Sequence, residues 1–283
     1  MKTGIVRGLA VLLAGAALGW LGTALIDGST ASADHPWGNY HWARTSNPFT
    51  LKVGDNVSSK WDAYLDEAVA DWSLSSVLDL AKVAGATNPK NCRPTAGRIE
   101  VCNSRYGNNA WLGLAQIWVN GDHIIQAVAK MNDTYFDTAT YNTPAWRRLV
   151  MCQEIAHGFG LGHTDENFNN PNEGSCMDYT NDPDGGPGGA SETDPSNEHP
   201  NAHDFEQLEL IYAHLDSTTT ISQGEGSGPG NGRNSGPFDD PSEWGRLVSS
   251  SADGRVQVYE RDLGGGIRII THVTWAEPRP GRR

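Results

Sequence analysis

Gln153-Glu154-Ile155-Ala156-His157-Gly158-Phe159-Gly160-Leu161-Gly162-His163 is the stretch on which the reading of this chain turns. Pro144 stands where a helix favours its first residue, and Ala145 to Phe159 continues with Leu149, Val150, Ile155 and Ala156 apolar, so the stretch opens on a helix. Positions 153 and 157 are about one turn apart, roughly 6 Å along the axis, and their side chains share a face and can converge on one ion. Glu154 lies one step round the helix, where it can stand beside a water on that ion without ligating it, as a general base requires. Gly160 lets the backbone break from the helix, and the reversed chain brings His163 back as a third donor.

Outward from this stretch the chain has mixed helix and strand signals. Upstream, Phe49–Val57, Val77–Val83, Arg98–Cys102, Gly113–Val119 and His123–Met131 read as strands of one sheet of about five. Asn120-Gly121 or Gly121-Asp122 supplies a tight turn. Ser59–Ser73 carries Trp61, Leu65, Ala68, Val69 and Trp72 at helical spacing, a stripe that reads as core. Downstream, Asp165–Pro200 is long, irregular and rich in Asn, Asp, Gly and Pro, a kind of segment that is usually functional in a compact domain. It contains Ser175-Cys176-Met177-Asp178-Tyr179, and a helix follows over Ala202–Leu215. The fold class is α+β.

With these residues in place the chain resembles the metzincin zinc metalloproteases, and among them the matrixin-like group. Glu154, His157, Gly160 and His163 match the family's H-E-x-x-H-x-x-G-x-x-H string, and Ser175–Tyr179 is similar to its Met-turn. The resemblance covers roughly residues 49–216. It implies a Zn2+ site held by Gln153, His157 and His163, Met177 as an apolar floor beneath it, Glu154 as general base and Tyr179 as a partner for the oxyanion. It also implies endopeptidase activity on a protein or peptide substrate. The departure is Gln153, where the family has its first histidine, and a neutral amide oxygen is a weaker zinc donor than imidazole. Three readings follow: Gln153 ligates through its oxygen; another residue such as Asp165, Tyr179, His199 or His203 fills the gap; or no functional metal binds, and a non-catalytic extracellular relative uses the cleft to bind peptide or protein.

The rest of the chain sets the context. Lys2 and Arg7, an apolar run over Gly8–Ile26 and Ala31-Ser32-Ala33 read as a secretory signal over residues 1–33, with an uncleaved N-terminal anchor as the alternative. The expected product is secreted and, after cleavage, free of the membrane. Loss of Lys2, Arg7 and Asp27 takes the net charge from -13 to -14, and an acidic protein is a poor nucleic-acid binder. Four cysteines in an exported chain most simply form two disulfides. Of the three pairings, Cys92–Cys102 closes a short loop, and Cys152–Cys176 joins residues beside the putative metal ligands in sequence; these are favoured. Residues 34–216 read as the catalytic domain, 217–241 as a Gly/Ser-rich linker and 242–283 as a small β-rich or weakly ordered tail. Trp37–Trp42 reads as an N-terminal arm, with no room for a folded inhibitory pro-domain between Asp34 and Phe49. His123 reads as an ordinary strand residue. Asp165, Glu166, Asp178, Asp182 and Asp184 could supply Ca2+ oxygens but miss the twelve-residue loop pattern, so a solvated acidic loop is the simpler reading. A monomer is expected.

Overall fold

The computed structural model describes Met1 and residues 35–187, 192–221 and 238–276. The proposed signal segment and most of the linker lie outside the described residues. In chain order the elements are β1 (His41–Trp42), β2 (Phe49–Asn56), α1 (Asp62–Trp72), β3 (Leu78–Ala84), β4 (Arg98–Ser104), β5 (Trp111–Asn120) and β6 (His123–Asn132). There follow α2 (Asp133–Phe136), α3 (Pro144–His157), α4 (Ala202–Ile211), a 3-10 turn at Pro241–Glu243, β7 (Arg246–Ser250), β8 (Val256–Gly264) and β9 (Ile267–Trp275).

The strands form one nine-stranded sheet in the order β3-β2-β4-β6-β5-β9-β8-β7, with β1 alongside the start of β6. Neighbours among β3, β2, β4 and β6 are parallel, while β5 runs antiparallel to both β6 and β9. This sheet is larger than the expected five strands because the three tail strands extend it. The reason lies in β5, whose residues from Trp111 to Val119 are all buried. Leu112, Ile117 and Val119 face the core that also holds Leu65, Leu149 and Val150 from α1 and α3. Trp111, Leu114 and Trp118 face a second core with Phe238, Trp244, Ile269 and Val273. A strand apolar on both faces must be covered on both and is poorly suited to a sheet edge.

Polar contacts hold the tail in register. Gln116 Nε2 donates to Phe238 O at 3.2 Å and to Thr271 Oγ1 at 3.0 Å, deep between the layers. Lys130, wholly buried on β6, forms an ion pair with Asp239 at 2.5 Å. Burial pushes the Lys130 ammonium below its ordinary range, and Asp239 opposes that shift. A buried charge that lost this partner would be strongly destabilising.

The helix α3 is the other fixed element. Thr143 caps it by accepting from Trp146 N at 3.2 Å, Pro144 opens it, and every residue from Leu149 to His157 is buried. Trp72 of α1 donates its indole N–H to Cys152 O at 3.1 Å, and Trp42 of β1 donates to Gly158 O at 2.9 Å. Disulfides join Cys92 to Cys102 and Cys152 to Cys176, the second tying α3 to the Met177 turn. Among the described residues no helix is long and apolar enough to cross a membrane.

Candidate metal centre

His157 ends α3, and Gly158 and Gly160 carry the chain out of the helix. Gly160 takes φ +97°, and a Cβ there would come 2.1 Å from Tyr40 O, so only glycine allows this turn against the N-terminal arm. The turn delivers His163 to His157, with ring centroids 4.8 Å apart. The third imidazole comes from the tail: His272 of β9 lies 3.9 Å from the His157 ring and 4.6 Å from the His163 ring, centroid to centroid. One nitrogen from each of the three rings lies within 4.8 Å of the other two.

Gln153 is engaged elsewhere. Its Nε2 donates to Cys176 O at 3.2 Å and its Oε1 accepts from the Thr274 hydroxyl at 3.4 Å. Among the other residues read as possible ligands, His199 pairs with Asp71 at 2.7 Å, and His203 lies 3.9 Å from Glu206. Asp165 accepts from Asn167 N at 2.7 Å. Tyr179 alone of that group reaches the centre, edge-on to His163 at 4.7 Å. Met177 is fully buried in the core beside it. Among the described residues, Asp165, Glu166, Asp178, Asp182 and Asp184 form no converging ligand group.

Glu154 completes the centre. It is wholly buried; Oε1 accepts from Thr274 Oγ1 at 3.1 Å, and Oε2 has no partner. Burial pushes its carboxyl well above the usual carboxylate range, and the Thr274 hydrogen bond opposes that. Gly113 on β5 makes the room, because a Cβ there would come 2.2 Å from Glu154 Oε1 and 2.7 Å from Val150.

The residues present fit a zinc ion. His157 Nε2, His163 Nε2 and both nitrogens of His272 are buried without hydrogen-bond partners, as is Glu154 Oε2. So many orphaned polar atoms at one point call for an ion or water to satisfy them. His157 Nδ1 lies 2.7 Å from Leu161 O, so the proton sits on Nδ1 and the Nε2 lone pair is left for a metal. Burial, followed by the adjacent His163, holds His157 well below the ordinary histidine range, and burial followed by His157 does the same to His272. Three neutral imidazoles are a catalytic-type zinc donor set. Trp37 packs its edge on His157 at 5.5 Å and on His272 at 5.8 Å, walling the site from the arm side. Beside it lies a narrow cleft, partly open to solvent, with room of about 10 Å³, lined by Tyr141, Trp146, Gln153, Phe168, Tyr179 and Trp275 among others.

His272 carries no signal in the local sequence. It stands in an alternating strand, Ile270-Thr271-His272-Val273-Thr274, more than a hundred residues from the other two histidines, and only the β5–β9 pairing, Ala115 opposite His272, sets it there.

No protein-family model and no curated protein matches the chain. Among solved structures, the chain is similar to high choriolytic enzyme 1, a hatching-enzyme zinc-protease from the medaka fish Oryzias latipes. The identity is 13%, the match covers 61% of this chain and 94% of that one, and the TM-score is 0.34.

Proposed function

We propose that this chain is a secreted zinc-dependent endopeptidase whose metal is held by His157, His163 and His272. One observation carries the reading: three buried imidazoles with unpartnered nitrogens converge, and Glu154, one turn before His157 on α3, has an unpartnered oxygen and is held by Thr274, two residues from His272 on β9. Zinc bound there would polarise a substrate carbonyl and lower the pKa of its water to about 7. The charge of a bound zinc would hold the Glu154 carboxyl ionised against its burial, so that Oε2 can take the proton of the attacking water and return it to the leaving amine while Thr274 holds Oε1 in place. Burial keeps the Tyr179 phenol well above its ordinary pKa, so it stays protonated and can donate to the oxyanion. The cleft beside the centre is lined by aromatic rings and is narrow, so a substrate side chain next to the scissile bond would enter only as these rings move apart.

The test is Glu154→Ala assayed on a generic unfolded protein such as casein. Cleavage should fall by at least ~10²-fold, the usual worth of a general base, with zinc content and circular dichroism unchanged. Undiminished cleavage rejects the reading. A second reading, a metzincin-like module that binds peptide or protein without cutting it, is favoured by Gln153, whose amide is held by Cys176 O and Thr274 where the family has its first ligand; with β9 paired along β5, such a module would bind peptide off that edge. It predicts that the zinc-loaded natural chain retains peptides and cleaves none.

A further inference from the structure

Three histidines and an aspartate gather at a second place, where the N-terminal arm, the start of β6 and the segment after α4 meet. His41 Nε2 lies 3.1 Å from His214 Nε2. Asp216 Oδ1 lies 3.6 Å from His41 Nε2, 3.8 Å from His214 Nε2 and 3.2 Å from His123 Nε2. We propose that His41, His214 and Asp216 hold a second, structural zinc that staples the N-terminal arm to the body of the protein, with His123 bonded to Asp216 beside it.

The spacing is that of a coordination shell. Ligands about 2.0–2.1 Å from zinc stand roughly 3.3 Å from one another, and the donors of His41, His214 and Asp216 stand 3.1, 3.6 and 3.8 Å apart. Surrounding groups orient the donors as they do around a metal. His41 Nδ1 lies 2.8 Å from Asn39 O, which places its proton on Nδ1 and leaves the Nε2 lone pair facing the other donors. Arg44 takes the far side of Asp216: its backbone N–H and Nη1 donate to Oδ2 at 3.1 and 3.0 Å, and Asp216 N returns a bond to Arg44 O at 2.9 Å. Oδ1 therefore points into the three imidazoles. Without a metal, hydrogen bonds join these groups, His123 Nε2 to Asp216 Oδ1 at 3.2 Å and His214 Nε2 to His41 Nε2 at 3.1 Å; zinc would take the place of the bond between the two imidazoles, where one ring must otherwise carry the proton that the other accepts.

Two imidazoles and one carboxylate can hold zinc with water as the remaining ligand, and with no further carboxylate in the cluster this site supplies stability rather than chemistry. It acts where the fold needs it. Of the arm, β1 holds to the sheet through only two residue pairs, His41 with His123 and Trp42 with Ile124, yet Trp37 walls the first centre. A metal shared by His41 of the arm and by His214 and Asp216 of the segment after α4 clamps the arm beside the first of those pairs, where Asp216 also bonds His123.

The experiment counts zinc by elemental analysis on the full exported chain after dialysis against dilute zinc. The natural protein should hold two per chain. His214→Ala, at a partly exposed ring, and Asp216→Asn should hold one, bind the second zinc more than ~100-fold more weakly, and lose a zinc-dependent rise in melting temperature. Cobalt substitution should give one fewer tetrahedral absorption set in each variant. His272→Ala should keep the second zinc and release only the first, which separates the two sites. Should the natural chain hold one zinc that His214→Ala and Asp216→Asn leave untouched, the second site does not exist.

Discussion

The two histidine clusters use the same side chain to opposite ends. At the first, His157, His163 and His272 are shut away from water and supply three donors, with buried Glu154 one turn back from His157 on α3. At the second, His214 reaches solvent, with a side-chain exposure of 51%, and shares the cluster with His41 and Asp216. An open position near a buried base is suited to chemistry; donors drawn from an arm and from the segment after α4 are suited to holding the two together. The difference lies in what surrounds the imidazoles, since the imidazoles themselves are alike.

The largest effect that can break this contrast is at His272. His272→Ala should remove the first zinc and abolish cleavage while the second cluster keeps its metal, as read by zinc content and casein hydrolysis. Adding Gln153→His to that variant tests whether the helix can supply the missing ligand, since residue 153 lies one turn from His157 on the same face; zinc and part of the activity should return. If His272→Ala keeps its zinc and its activity, the tail strand contributes nothing to the centre.

A smaller effect should follow from unpinning the tail. Asp239→Ala leaves the Lys130 ammonium buried without this partner and should cost about 3 kcal/mol in chemical denaturation. Because Lys130, Gln116 and Trp111 hold Phe238 and Asp239 against β5, the loss should weaken zinc at the first centre and spare the second. Equal weakening at both would mean that the tail and the arm respond as one.

The smallest effect is on pH dependence. Burial raises the Asp178 carboxyl to about 6 in the folded chain, above its ordinary 3.8. A carboxyl raised on folding favours the native state fully below its unfolded pKa, and that contribution is lost as pH rises through the folded value. Stability should therefore fall between about pH 4 and 6, and Asp178→Asn should flatten the slope. Its oxygen can keep the bonds from Glu173 N and Asn197 Nδ2, and its amide can take the place of the unpartnered Oδ1. An unchanged slope in melting temperature against pH would remove Asp178 as the cause.

Much of this was legible in the chain. The spacing of Pro144, Leu149, Val150, Ile155 and His157 marked α3, which runs Pro144–His157. The strand signals upstream fell on β2 to β6, and the alternation of the tail fell on β7 to β9. What the pattern did not carry was the partner of β5. Its near-continuous apolar run, Trp111-Leu112-Gly113-Leu114-Ala115, was a sign of burial on both faces, but a run of that kind does not name the strand that will cover it. The same limit hid His123, which reads as an ordinary strand residue until the fold sets Asp216 beside it.

The sequence by itself determined the helix that carries Glu154 and His157, the glycine turn that returns His163, and the departure at Gln153, because helical period and turn chemistry act over a few residues. Only the tertiary structure decided where the third imidazole comes from and that a second cluster exists. Both depend on contacts between residues more than eighty positions apart, His163 with His272 and His123 with Asp216, and pairing at that range is set by which buried faces find each other, which no local period encodes.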